Sequence, residues 1–179
     1  FRVATKNRNR QDVEMKKNIV LIGMPGAGKS TVGVVLAKKL GYHFLDSDIL
    51  IQESEDRTLP EIIAAEGTDG FLEIEDRVNS RIDTEKSVIA TGGSAVYGKN
   101  AMEHLKSIGT VVYLAVSYES LEKRLGDLTD RGVALKEGQT LFDLYKERCP
   151  LYEKYADVTI DEELFDIPST VKAIINKIN

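Results

Sequence analysis

Residues 23–30 read Gly-Met-Pro-Gly-Ala-Gly-Lys-Ser, and they stand between an apolar run and a helical pattern. This is the spacing G-x-x-x-x-G-K-[ST], in which glycines let successive backbone N–H groups turn inward around phosphate oxygens at a helix N-terminus. The run before it, Asn-Ile-Val-Leu-Ile at 18–22, is nearly all apolar, as a strand covered on both faces must be. After it, Val32, Leu36 and Leu40 recur every fourth residue with Val35 beside them, and Gly41 follows. Those positions predict a helix over 29–40 with one buried stripe and a glycine stop. Strand, glycine-rich turn and helix in this order point to an α/β fold that binds a nucleoside triphosphate. Gly26, Ala27, Gly28 and Thr31 belong to the phosphate cradle; Lys29 reaches the β- and γ-phosphates, and the Ser30 hydroxyl holds Mg²⁺.

The remaining chain keeps alternating short apolar runs with helical patterns, the mark of a parallel sheet. Strands are expected at 43–45, 87–90, 110–116 and 157–160. Thr58-Leu-Pro-Glu61 has the capping-box spacing and opens a helix that stops before Gly67. Further helices are expected at 69–82, 100–107, behind Ser117 with Leu121 and Leu125, at 140–155 and at 168–178. Residues 126–139 have little apolar periodicity and three glycines. A loop of about fourteen residues in a compact domain reads as a lid. The expectation is one three-layer α/β domain over 15–179 with five strands, preceded by a disordered leader or cloning remnant at 1–14.

Charge and composition narrow the partners. Residues 1–17 hold six basic and two acidic groups, whereas the rest holds 18 basic and 27 acidic. A body that acidic lacks the basic footprint of a nucleic-acid surface. No stretch reaches the roughly 18 apolar residues that cross a bilayer. A single cysteine, Cys149, leaves no intrachain disulfide and no cysteine metal cluster, which suits a reducing cytoplasm. The expectation is a small-molecule substrate, no nucleic acid, no membrane, and a monomer.

Three further groups are candidates for chemistry. Asp46 and Asp48 follow the second strand and would lie at the C-terminal edge of a parallel sheet, where ligands bind in open α/β folds. They can hold a metal, accept a proton from an attacking hydroxyl, or simply cap a helix. Thr91-Gly92-Gly93-Ser94 ends the third strand and reads either as a close-approach site or as a plain tight turn. Arg124, Arg131 and Arg148 surround the lid, and Arg131 within it is placed to stabilise transferring charge.

These residues resemble the shikimate kinase family, in which ATP phosphorylates the 3-hydroxyl of shikimate. The likeness runs over residues 17–179. It is carried by the 23–31 motif, Leu-Asp-Ser-Asp at 45–48, Arg-Thr-Leu-Pro-Glu-Ile at 57–62, and Glu66-Gly67 with Phe71 and Glu75. Thr-Gly-Gly-Ser-Ala-Val at 91–96, Arg131 and Arg148-Cys-Pro-Leu-Tyr152 complete it. The resemblance implies a P-loop fold with a five-stranded parallel sheet of order 2-3-1-4-5, a lid and a separate substrate-binding helical region. It implies ATP and Mg²⁺, with Asp46 helping to hold the metal and Asp48 binding the acceptor hydroxyl and serving as base. It also implies that Arg131 closes on the γ-phosphate, Arg148 binds the substrate carboxylate, and Arg124 and Pro168 flank the adenine. Gly92, Gly93 and Ser94 would line the acceptor site.

Two departures stand out. The family's Phe-Arg-x-x-Glu is Phe71-Leu72-Glu73-Ile74-Glu75 here, so Leu72 replaces an arginine of the carboxylate clamp and Glu73 adds a negative charge beside it. Arg57 or Arg77 could compensate. The glycine triplet is also incomplete, ending in Ser94. The leading reading is shikimate phosphorylation in chorismate and aromatic amino-acid biosynthesis. The alternatives are a kinase of the same fold for another polyol or sugar acid, and a non-catalytic nucleotide-binding module.

Overall fold

A computed structural model describes residues 18–125, 133, 135–162 and 166–179. The expected leader at 1–14, Arg131 and most of the expected lid lie outside the described residues.

The central strand is β1 (Asn18–Ile22), buried along its whole length. It pairs in parallel with β3 (Ser87–Ala90) on one side and with β4 (Gly109–Ala115) on the other. β2 (His43–Asp46) adds to β3 and β5 (Val158–Asp161) adds to β4, which gives the parallel order β2-β3-β1-β4-β5. The Asn18 side chain ties three of these segments at the strand starts. Its Nδ2 donates to Thr84 O and Ile108 O, and its Oδ1 accepts from Ser87 N.

Helix α1 (Lys29–Leu40) returns from β1 toward β2 and packs against α7 (Ile167–Ile178). Crossovers to β4 and β5 run the other way across the sheet, so right-handed connections put α4 (Lys99–Ile108) and α6 (Leu141–Tyr155) on the opposite face, against β4. A short α5 (Tyr118–Leu125) follows β4, with Ser117 Oγ accepting from Ser120 N at its start. These layers enclose a core running from Ile19 to Ile174.

Beyond the β2 edge stands a helical unit with its own small core of Ile51, Leu59, Ile62 and Phe71. It consists of α2 (Ser47–Glu55) and α3 (Leu59–Asn79). The capping box is present: Glu61 N donates to Thr58 Oγ1 at 3.4 Å and Thr58 N donates to Glu61 Oε2 at 2.7 Å. At Gly67 the backbone turns to φ 71°, ψ 178°, and this left-handed break separates the two helices expected at 58–66 and 69–82.

Helix α2 was not anticipated from the sequence. Ile49, Leu50 and Ile51 are consecutive apolar residues rather than a helical stripe, and Ile49 stays 52% exposed. What starts the helix is Asp46, whose side chain caps it.

Candidate active site

All five strands end at the same edge, so the loops that follow them converge there. The loop after β1 turns into α1 through Gly28, the N-cap residue, at φ 85°. That left-handed backbone suits glycine, and it aims the first N–H groups of α1 at the cleft. Lys29 is 8% exposed and folds back, donating 2.8 Å bonds to Gly23 O and Met24 O. Burial, with Arg148 adding to it, lowers the Lys29 pKa to about 8, although Asp48, Asp46 and Glu162 pull the other way.

Ser30 Oγ donates to Asp46 Oδ2 at 2.8 Å, and Asp46 Oδ1 accepts from Asp48 N at 3.0 Å. Asp46 is therefore a cap and a partner of the phosphate-loop serine at once. Ser30 and Asp46 offer hard oxygens side by side at the rim, and a magnesium ion takes few protein ligands when phosphate oxygens and waters complete its shell. The pair fits that role. Asp48 lines the cleft with its carboxyl held above the ordinary range, mainly by burial and then by Asp46, against the pull of Lys29.

One cleft of about 360 Å³ joins the two halves of the site. Lys29, Ser30, Asp48, Gly92, Gly93 and Arg148 all face it. The loop after β3 forms its floor and is tied from three sides. Gly92 N donates to Ser47 Oγ at 3.3 Å, Tyr152 OH donates to Gly93 O at 2.6 Å, and Ser94 Oγ donates to Glu75 Oε2 at 2.5 Å. Gly92 has no spare room: a Cβ there would lie 2.8 Å from Asp48 Oδ1 and 2.7 Å from Glu75 Oε1. What leaves no room for a Cβ at Gly92 is therefore the pair of carboxylates, Asp48 and Glu75. Arg148 is 1% exposed, lies over the Tyr97 ring and donates through Nε to Tyr97 OH at 3.4 Å.

A second cavity of about 520 Å³ adjoins the other side of the loop after β1. Ala27, Thr31, Arg124 and Pro168 line it, together with Glu162 and Asp166. Arg124 Nη1 stands 3.5 Å from Glu162 Oε2 and donates to Gly26 O at 3.4 Å. Arg124 and Pro168, far apart in the chain, thus share a cavity beside the phosphate loop.

The remaining candidates fall elsewhere. Leu72 lines a neighbouring pocket of about 40 Å³ with Tyr97 and Arg148 rather than the main cleft. Glu73 is exposed and borders neither, so its charge does not oppose a carboxylate there. Arg57 and Arg77, the possible substitutes for the missing arginine, pair instead with Glu55, and Arg57 also pairs with Glu66. Tyr97, Tyr152 and Ser47 had no assigned part in the sequence reading. Ser47 and Tyr152 sit inside the 45–48 and 148–152 motifs and Tyr97 directly follows the 91–96 one, but their partners lie 45 to 59 residues away, so spacing does not give their contacts.

The family model "Shikimate kinase" matches residues 25–179. A shikimate kinase of Clostridium botulinum (strain Kyoto / Type A2) is 42% identical over 165 residues, covering 87% of this chain and 96% of that protein. One of Haemophilus influenzae (strain PittEE) is 37% identical over 168 residues, covering 92% and 93%. Among solved structures, shikimate kinase from Acinetobacter baumannii in complex with shikimate superposes with a TM-score of 0.83 at 36% identity, over 92% of this chain and 94% of that one. Phosphate loop, sheet order and sequence agree, and the chain belongs to the shikimate kinase family.

Proposed function

We propose that this chain transfers the γ-phosphoryl group of ATP to the 3-hydroxyl of shikimate, with Mg²⁺, acting as a monomer in the cytoplasm. The observation that carries the reading is the continuous cleft in which the phosphate-loop residues Lys29 and Ser30 face Asp48, Gly92, Gly93 and Arg148. Phosphoryl transfer needs donor and acceptor in line within one enclosure, and little else from the protein but placement and charge. The shikimate-bound relative from Acinetobacter baumannii supports the choice of acceptor over another polyol. Family membership likewise favours an ATP-dependent kinase over a non-catalytic module.

In this reading the acceptor hydroxyl oxygen bonds to the γ-phosphorus, the bond from that phosphorus to the β–γ bridging oxygen breaks, and ADP leaves. Asp48 orients the hydroxyl and takes its proton. Lys29 leaves the Gly23 and Met24 carbonyls for the phosphates, and Arg131 adds charge from the lid. Arg148 takes the substrate carboxylate, while Arg124 and Pro168 flank the adenine. Bound Mg²⁺ would neutralise phosphate charge, and Ser30 and Asp46 are the residues that would hold it.

A coupled ADP-release assay with Mg-ATP tests the reading. ADP release should rise saturably with millimolar shikimate. A protein that binds ATP but shows no rise over its background ATPase would refute the assignment.

A further inference from the structure

Glu75 is a buried carboxylate that the transfer itself does not use. It stands on α3, 2% exposed, and Oε2 accepts the 2.5 Å bond from Ser94. Oε1 is buried and has no hydrogen-bond partner among the described residues. Across Gly92 it faces Asp48, since one added Cβ would crowd both carboxylates. Leaving a buried acceptor without a donor is costly. The groups that act on Glu75 are few. Burial and Asp48 disfavour its charge, whereas Ser94, Arg148 and Lys29 favour it, and the balance pushes its pKa up to about 7.

Leu72 precedes Glu75 by three residues on the regular part of α3, a spacing that puts both on one helix face. A long cation at 72 would come within reach of Oε1; leucine supplies no donor. Ser94, from the loop after β3, supplies one to the other oxygen. With glycine at 94 and leucine at 72, the carboxylate would keep neither. The same bond ties the cleft floor to α3, while Ser47 and Tyr152 hold the two preceding residues.

We propose that Ser94 is a positioning residue of the acceptor site, acting through Glu75, and that its hydroxyl does here what a cation at position 72 would otherwise do. Positions 72 and 94 are then energetically coupled through one carboxylate. As a statement about acceptor binding this rests on the cleft being the shikimate site; as a statement about coupling it does not.

The test is a double-mutant cycle with Leu72→Arg, Ser94→Gly and the pair, read first as the melting temperature of the ligand-free chain and then as the shikimate KM. Ser94→Gly should lower the melting temperature by about 2 to 10 °C and raise the shikimate KM about 5-fold or more. Leu72→Arg should recover most of both losses in the Ser94→Gly background and give a clearly smaller gain in the parent. Ser94→Ala, which keeps the Cβ and the backbone preference, should behave like Ser94→Gly. Additive effects in the melting cycle, or a Ser94→Ala protein that melts and binds like the parent, would overturn the coupling. A parent that never responds to shikimate would instead overturn the functional reading, and the melting cycle would still decide the coupling.

Discussion

Ser30 Oγ donates to one oxygen of the Asp46 carboxylate at 2.8 Å, while the other oxygen caps α2 by accepting from Asp48 N at 3.0 Å. One side chain thereby joins the start of α1, the end of β2 and the entry to the outlying helical unit. Its two oxygens have separable work, which allows a clean substitution. Asp46→Asn keeps an oxygen for the cap and removes the charge. It should melt within a few degrees of the parent, yet need about tenfold or more Mg²⁺ for half-maximal ADP release. Chelation of Mg²⁺ with EDTA should abolish turnover of both. A magnesium titration of the two proteins checks this, and unchanged magnesium dependence would remove Asp46 from the metal site.

Lys29 carries a pH signature. Burial holds its pKa near 8 in the free protein, and phosphate oxygens at the ammonium would raise it. Above pH 8 nucleotide binding should therefore take up a proton and weaken as pH rises. Calorimetry of ATP binding at pH 8.5 in two buffers of different ionisation enthalpy measures the uptake. Binding heats that are independent of buffer would contradict the assignment.

The elevated pKa of Glu75 makes a stability prediction of definite sign. Its ordinary value is 4.5 and its folded value is about 7, so the folded chain binds the proton more tightly. Its contribution to stability is complete below pH 4.5 and is lost as pH rises through 7. Glu75→Gln, neutral at every pH, should lack this downward trend in melting temperature between those limits. Parallel melting profiles from pH 4.5 to 7.5 decide it.

Arg148 is enclosed by Tyr97 on one side and Gly93 on another, with Nη1 3.0 Å from where a Gly93 Cβ would stand. Its planar fork suits a carboxylate, and lysine does not reproduce it. Arg148→Lys should raise the shikimate KM about 10- to 150-fold with a far smaller change in the KM for ATP, by the roughly 1.5–3 kcal/mol of a charge-assisted bond. Equal losses for both substrates would assign Arg148 to the nucleotide instead.

Much of this fold was readable because its signals are local. The phosphate loop, the Gly41 stop, the Thr58 capping box and the Gly67 break each lie within a few residues. The apolar runs at 18–22, 87–90 and 110–116 mark buried strands for the same reason. Helix α2 escaped because its apolar residues are consecutive and its defining signal is one capping aspartate, which also reads as a catalytic group.

What the chain order determined by itself is therefore every strand and every long helix but α2, the phosphate cradle and the residue types offered for chemistry, since each follows from backbone preference and periodicity over short spans. Only the tertiary structure decided which of them meet. Glu75 and Ser94 are 19 residues apart, Ser47 and Gly92 are 45 apart, and Gly93 and Tyr152 are 59 apart. Leu72, which the resemblance puts in the carboxylate clamp, lines a small pocket with Arg148 instead of the main cleft. Such encounters depend on the lateral order of strands and the angle of α3. Burial at those encounters then moves the proton affinities of Lys29, Asp48 and Glu75, a quantity that no spacing along the chain encodes.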